Sequence, residues 1–243
     1  MPNLIRFGTG GKGASISAPI LGTDFLWSSD SDTLQVIDGD PWRMKFLSSG
    51  SFTPLRDMVI DAFLVGAGGG KGYTHCGAGG SGYTTTVRSV VLAANTAYQI
   101  TIGAAGTNGL TIATNGTDGG TTSAFAASAP GGKGSNAGKS SSKAVGADGG
   151  SGGGGLNVSG VHANSSTADG GIDGEDGTTA TTAGGAGQGT TTREFGEADG
   201  DLYASGGGDN LTATVPNSGN GGAYNIAPAD GIVVIRQHKE AAA

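Results

Sequence analysis

The sequence predicts a mostly β and irregular protein: short strands form a base sheet, and a bundle of extended glycine-rich segments with long loops is anchored on it. Three observations predict this. Glycine supplies 51 of 243 residues. Apolar residues make up only 35%, below the roughly 45 to 50% of ordinary globular chains, so a large oily core is excluded. The β-rich runs lie before and after a long glycine zone, so pairing between them would tie its ends together.

Residues 1–57 form an N-terminal β-rich region that holds both tryptophans, Trp27 and Trp42. There, Leu34–Ile37 and Arg43–Leu47 read as a hairpin whose turn is Asp38-Gly39-Asp40-Pro41. Residues 58–243 form the glycine-rich domain. Its strongest strand is Met58-Val59-Ile60-Asp61-Ala62-Phe63-Leu64-Val65, which runs directly into Gly66-Ala67-Gly68-Gly69-Gly70. Strands 83–92 and 97–102 follow, separated by a turn at 93–96, and 231–236 closes the same sheet. Residues 103–230, between these strands, lack both helical and strand periodicity and are expected to form the bundle.

Each glycine in an ordinary element costs about 0.5 to 1 kcal/mol relative to alanine, so the fold must gain something from them. Close approach of main chains is that gain. Without Cβ atoms, left-handed threefold helices of the polyproline II type can lie side by side and bond to each other, each bond contributing about 1 kcal/mol net. A strict Gly-X-Y period is absent, which excludes a collagen triple helix. Disorder is the competing reading of this composition, but a net charge of -7 is small for the length.

The acidic balance and the lack of a Lys/Arg cluster exclude nucleic acid as a partner. No run of about 18 apolar residues is present, and Met1 leads into a polar start, so neither membrane insertion nor signal-peptide export is expected. Cys76 is the single cysteine, which leaves no internal disulfide and fits synthesis in a reducing cytoplasm.

Motifs for chemistry fail on inspection. Gly138-Lys139-Ser140 would need a glycine where Lys133 stands to be a phosphate-binding loop. Gly149-Gly150-Ser151-Gly152-Gly153 fits a nucleophile elbow formally but has no strand before it or helix after it. His75, His162 and His238 are scattered, and His75 with Cys76 reads as loop or packing. The acidic patches Asp169, Asp173, Glu175, Asp176 and Glu197, Asp199, Asp201 match no calcium-loop spacing, and Asp beside Gly is more often a turn. Neither cofactor nor catalysis is expected. Glu194 and Glu197 are the acids that a polysaccharide-cleaving alternative would use.

If the glycine runs are helices, the projecting interruptions are 107–118, 139–145, 156–168 and 209–218. Their candidate contact residues are Leu110, Ile112, Lys139, Lys143, Leu156, Val158, Val161, His162, Leu211 and Val215. The alternative is that the apolar ones fold back over the bundle ends. Tyr73, Tyr83, Phe125, Phe195, Tyr203 and Tyr224 are expected to seal its edges.

An ordered set of pieces carries a resemblance. Lys45-Phe46-Leu47-Ser48-Ser49-Gly50-Ser51-Phe52-Thr53-Pro54 and Val59–Gly70 open it, and Tyr98–Gly103, Gly119–Phe125, Gly187–Glu197, Leu202–Gly208 and Asp230–Arg236 follow in order. Over residues 42–236 this resembles the glycine-rich domain of bacteriophage tail-fibre and receptor-binding proteins, similar to the fibre-tip adhesins of T-even-type phages. The resemblance implies a sandwich of polyglycine II helices whose loops contact a bacterial outer-surface receptor, protein or glycan. It also implies a virion location. Residues 1–41 match no part of that family, and by position the N-terminal region 1–57 is expected to dock to other tail or fibre proteins. A homotrimer suits fibre symmetry, although the adhesins it resembles need not trimerise. Two rival readings are a purely structural virion component and an ice-binding protein using Thr178–Thr182 or Thr190–Thr192.

Overall fold

The computed structural model describes residues 3–7, 17–29, 31, 33–73, 76–111, 114–137, 146–155, 157–158, 161–162, 192–208 and 212–238. These residues are strands and irregular segments with no α-helix. The strands are β1 (Asn3–Phe7), β2 (Phe25–Ser29), β3 (Thr33–Ile37), β4 (Arg43–Phe46), β5 (Gly50–Pro54), β6 (Met58–Val65), β7 (Thr84–Leu92), β8 (Tyr98–Ile100), β9 (Thr122–Ala124), β10 (Ala127–Ala129), β11 (Asn157–Val158), β12 (Val161–His162) and β13 (Ile232–Gln237).

Six of them form one sheet in the order β1-β3-β4-β13-β6-β7, and β2-β5-β8 form a second. β6 and β13 are central, and apolar residues on both faces bury nearly all of each. That is why their sequences read as continuous hydrophobic runs rather than alternating ones. Phe25, Trp27, Val36, Met44, Phe46, Phe52, Ile60, Leu64, Ile100, Val233 and Ile235 fill the larger core cluster, which draws on strands of both sheets. Phe63, Val65, Ile232 and Val234 make the other face of the six-stranded sheet and are covered by Phe195, Tyr203 and Ala204.

Two features differ from the sequence expectation. β8 pairs with β5 in the second sheet, whereas β7 pairs with β6 in the first. The turn between them therefore crosses from one sheet to the other, which lets Ile100 enter the shared core. Residues 1–57 also do not stand apart: β4 pairs with β13, and both tryptophans are buried in the same core as β6.

The glycine segments leave from one edge of the six-stranded sheet. β6 continues into 66–73, 78–83 leads into β7, and 219–231 leads into β13. The pairing is handed on at this edge, because the Gly66 amide still bonds to the Tyr83 carbonyl beside the Val65–Thr84 pair. Beyond it the bonds change direction. Along 78–83, Ala78 and Ser81 donate to Gly154 and Ser151, Gly79 and Gly82 to Gly222 and Gly219, and Gly80 and Tyr83 to Lys133 and Pro130. Every third residue therefore addresses the same neighbour, with three neighbours in rotation, whereas a strand alternates between two.

Segment 66–73 behaves alike: Ala67, Gly70 and Tyr73 donate to Gly120, Thr117 and Thr114, while Gly66 and Gly69 donate to Tyr83 and Gly80. Segment 78–83 also accepts bonds from 66–69, 147–150 and Gly207, so six main-chain stretches surround it. Glycine is needed for room rather than for unusual torsions, since among the described glycines only Gly22, Gly196 and Gly219 have positive φ. A Cβ placed on Gly68 would fall on the Asn220 carbonyl oxygen, and one on Gly79 on that of Gly69.

On the Phe63 face, the 194–201 segment is pinned by charge. Arg43 and Lys45 of β4 meet the buried Glu194, at 3.2 and 3.1 Å. Arg236 of β13 pairs with Glu197 and lies 4.2 Å over the Phe195 ring. Lys45 also reaches Asp201 at 2.8 Å and the Tyr203 hydroxyl at 3.0 Å. Burial opposes the charge on Lys45, but Tyr203, Glu194 and Asp201 outweigh it and raise the ammonium above its ordinary range. Burial pushes the Tyr203 phenol up as well, reinforced by the Glu194 charge.

Candidate functional site

Because the bonds fix the register of each segment pair, antiparallel for 66–73 with 78–83 and parallel for 66–73 with 106–109, the two ends of the bundle can be told apart. Residues 66, 83, 120, 130 and 219 lie at the sheet end, and 73, 78, 109, 114, 135, 147, 154, 207 and 222–226 lie toward the opposite one. The sheet covers the first end. At the distal end, the main chain turns between 109 and 114, where Thr114 bonds back to Thr111, and again at 223–226, where Ala223 and Ile226 exchange amide bonds.

Asn108 joins these two turns. Its side-chain oxygen accepts the Lys71 amide at 2.7 Å, and its amide nitrogen donates to the Ile226 carbonyl at 2.9 Å. The turns present two exposed side chains, Leu110 at 83% and Tyr224 at 74%. Beneath them Cys76 is buried, its thiol donating to the Gly72 carbonyl at 2.5 Å with Lys71 Nζ 3.1 Å away. On the flank, the Asp118–Lys133 pair at 2.8 Å holds the Asp118 carboxyl below its usual value, mainly through that hydrogen bond.

Of the contact residues predicted from sequence, Leu110 stands at this end. Val215 is exposed but belongs to a turn beside the sheet, where Ser218 Oγ bonds its carbonyl and Asn217 reaches the carbonyls of Leu47 and Gly231. The structure therefore separates Val215 from Leu110. Val158, Val161 and His162 lie on the short β11–β12 hairpin, inside the 156–168 interruption predicted as a loop. Ile112, Lys139, Lys143, Leu156 and Leu211 lie outside the described residues, as do His75 and the 169–176 acidic patch. The chain enters 139–145, 156–168 and 209–218 at the distal end, and 107–118 turns there between 109 and 114, whereas its flanks Gly106 and Gly119 lie toward the sheet.

Tyr224, one of six rings expected to seal the bundle, instead projects from a tight turn in which Asn225 takes φ 59. The usable signal was the adjacent asparagine, which tolerates that conformation. Phe195 and Tyr203 do seal an interface, that of the sheet. The carboxylates considered for polysaccharide cleavage meet cations: Glu194 and Glu197 both contact Arg43. Among the described residues, no three His, Cys, Asp or Glu side chains group as metal ligands. Of the threonines weighed for an ice-binding face, Thr192 is buried and the others lie outside the described residues.

No curated protein matches the chain. A family model described as "Glycine-rich domain" matches residues 47–237, from the end of β4 to the end of β13, and so covers the bundle together with the strands that close it. The chain belongs to the glycine-rich domain family.

Proposed function

We propose that this protein is a virion component of a bacteriophage tail, a non-enzymatic adhesin that binds a bacterial surface receptor through the distal end of its glycine platform. The observation that carries this reading is that the turns at 109–114 and 223–226 and the entries to three of the interruptions meet at one end, where Leu110 and Tyr224 are exposed, while the sheet occupies the other. A rigid scaffold with connections gathered at one pole is how folds commonly present binding residues. The ordered resemblance to phage receptor-binding proteins supplies the biological setting. Residues 1–57 would hold the module to the tail from the opposite pole, and several copies on one particle would strengthen weak single contacts through effective concentration.

The test is cell binding. Fluorescently labelled full-length protein is incubated with a panel of bacterial strains, and bound fluorescence is compared with that of a Leu110→Asp/Tyr224→Ala variant of equal melting temperature. Strain-specific binding that the variant loses supports the reading. Binding to no strain supports a purely structural role, and binding that the variant retains moves the contact surface elsewhere.

A further inference from the structure

The groups around the exposed distal side chains favour one class of surface molecule over another. The turns at 109–114 and 223–226 are locked together: Asn108 Nδ2 donates to the Ile226 carbonyl at 2.9 Å, and a Cβ on Gly222 would fall on Asn108 Oδ1. Ala223 and Ile226 also bond to each other through both amides, at 3.0 and 3.2 Å. Tyr224 is therefore an exposed ring on main chain that is held on both sides, and little order is lost when a ligand lies against it. Its exposed neighbours in the two turns, Thr111, Thr114 and Asn225, carry short hydroxyl and amide groups, which both donate and accept hydrogen bonds. None of residues 109–114 or 223–226 is charged. Lys71, close beneath, has its ammonium on the Gly72 carbonyl and the Cys76 sulfur, each at 3.1 Å.

We propose that the distal end binds an uncharged polysaccharide of the bacterial surface, with the Tyr224 ring as the platform on which one sugar stacks. This rests on the adhesin reading above and narrows it to a substrate class. A pyranose presents a face of C–H groups, which sits against the electron-rich face of an aromatic ring. Its rim of hydroxyls needs partners that donate and accept, and Thr111, Thr114 and Asn225 are of that kind. Polymers bearing phosphate or uronate call for Arg or Lys, and neither turn has one.

A protein receptor is the competing occupant. The contacts that dominate protein interfaces are rich in Trp, Tyr and Arg and poor in Leu and Thr, whereas here one tyrosine stands among threonines and asparagine. Leu110 suits either partner and decides nothing. A single stacked sugar is a weak contact, which several copies on one particle would strengthen through effective concentration.

The test starts from a strain that the labelled full chain binds, treated in parallel with proteinase K and with sodium periodate, which cleaves the vicinal diols of sugars. Binding is expected to survive the protease and to be lost after periodate, and the neutral polysaccharide released from that strain by mild acid is expected to compete. Tyr224→Phe should bind as the unaltered chain does, and Tyr224→Leu of equal melting temperature about tenfold more weakly, the loss of one stacking contact. Binding that is lost to the protease and unchanged by periodate overturns the proposal in favour of a protein receptor and leaves the adhesin reading standing. Failure of the released polysaccharide to compete, or equal binding by Tyr224→Leu, also overturns it. Binding to no strain removes the adhesin reading itself and this proposal with it.

Discussion

At the scale of single residues, glycine here is a steric requirement. The positions that tolerate a side chain inside the bundle are few and small, such as Ala67, Ala78, Ser81 and Ser151, all buried. Gly79→Ala places a methyl group on the Gly69 carbonyl, main chain that cannot swing aside. It should lower stability by about 2 kcal/mol or more, at the upper end of overpacking costs, read as a fall in the denaturation midpoint. The two serines separate polar use from mere tolerance. Ser81 Oγ accepts the Ser151 amide at 2.6 Å and donates to the Gly82 carbonyl, while Ser151 Oγ has no hydrogen-bond partner among the described residues. Ser81→Ala should therefore cost about 1 to 2 kcal/mol and Ser151→Ala almost nothing, as chemical denaturation would show. None of this selectivity is legible in the sequence, where Gly149-Gly150-Ser151-Gly152-Gly153 reads only as a glycine run. What distinguishes the two serines is the segment that lies against each.

At the scale of elements, β6 and β13 were legible because a strand buried on both faces must be largely apolar: Met58–Val65 is apolar except at Asp61, and Ile232–Ile235 is apolar throughout. The hairpin β9–β10 was not, because Thr122–Ala124 and Ala127–Ala129 are small residues without alternation. The clamp of 194–201 on the sheet was also hidden: its charges pair across sequence separations such as Arg43 to Glu197, which local spacing cannot reveal. Tyr203 closes that clamp, with its ring 5.5 Å from Phe63 and its hydroxyl on Lys45 and Glu194. Tyr203→Ala should destabilise by about 3 kcal/mol or more, measurable as a lowered thermal midpoint.

Acid should act on the same elements. For Asp61, burial raises the carboxyl, but hydrogen bonds from His238, the Ser89 amide and Arg236 outweigh it. For Asp201, the Lys45 hydrogen bond is the main cause, and both groups lie below their ordinary 3.8. A lowered carboxyl binds its proton less readily in the folded state. Its stabilisation is thus complete above the ordinary value and is lost as pH falls below about 4 through the folded value. Stability should be level from neutral pH to about 5 and then decline. Asp61→Asn should flatten the decline, which urea titrations at stepped pH would read.

At the scale of the whole molecule, a conventional two-sheet core carries a second body held by main-chain hydrogen bonds, and the two meet where β6, β7 and β13 pass into glycine segments. The sequence supplied this division, through a strand running directly into Gly66 and another closing the chain. It did not supply the neighbours of each segment, because bare main chain carries no side-chain pattern to assign them. The two bodies share three strands and should melt together. The most direct measurement is amide exchange of the native protein. If the main chain holds the bundle, the amides of 66–70, 78–83 and 219–222 will be protected to the level of β6 and β13. Free exchange of those amides beside protected strands would contradict it.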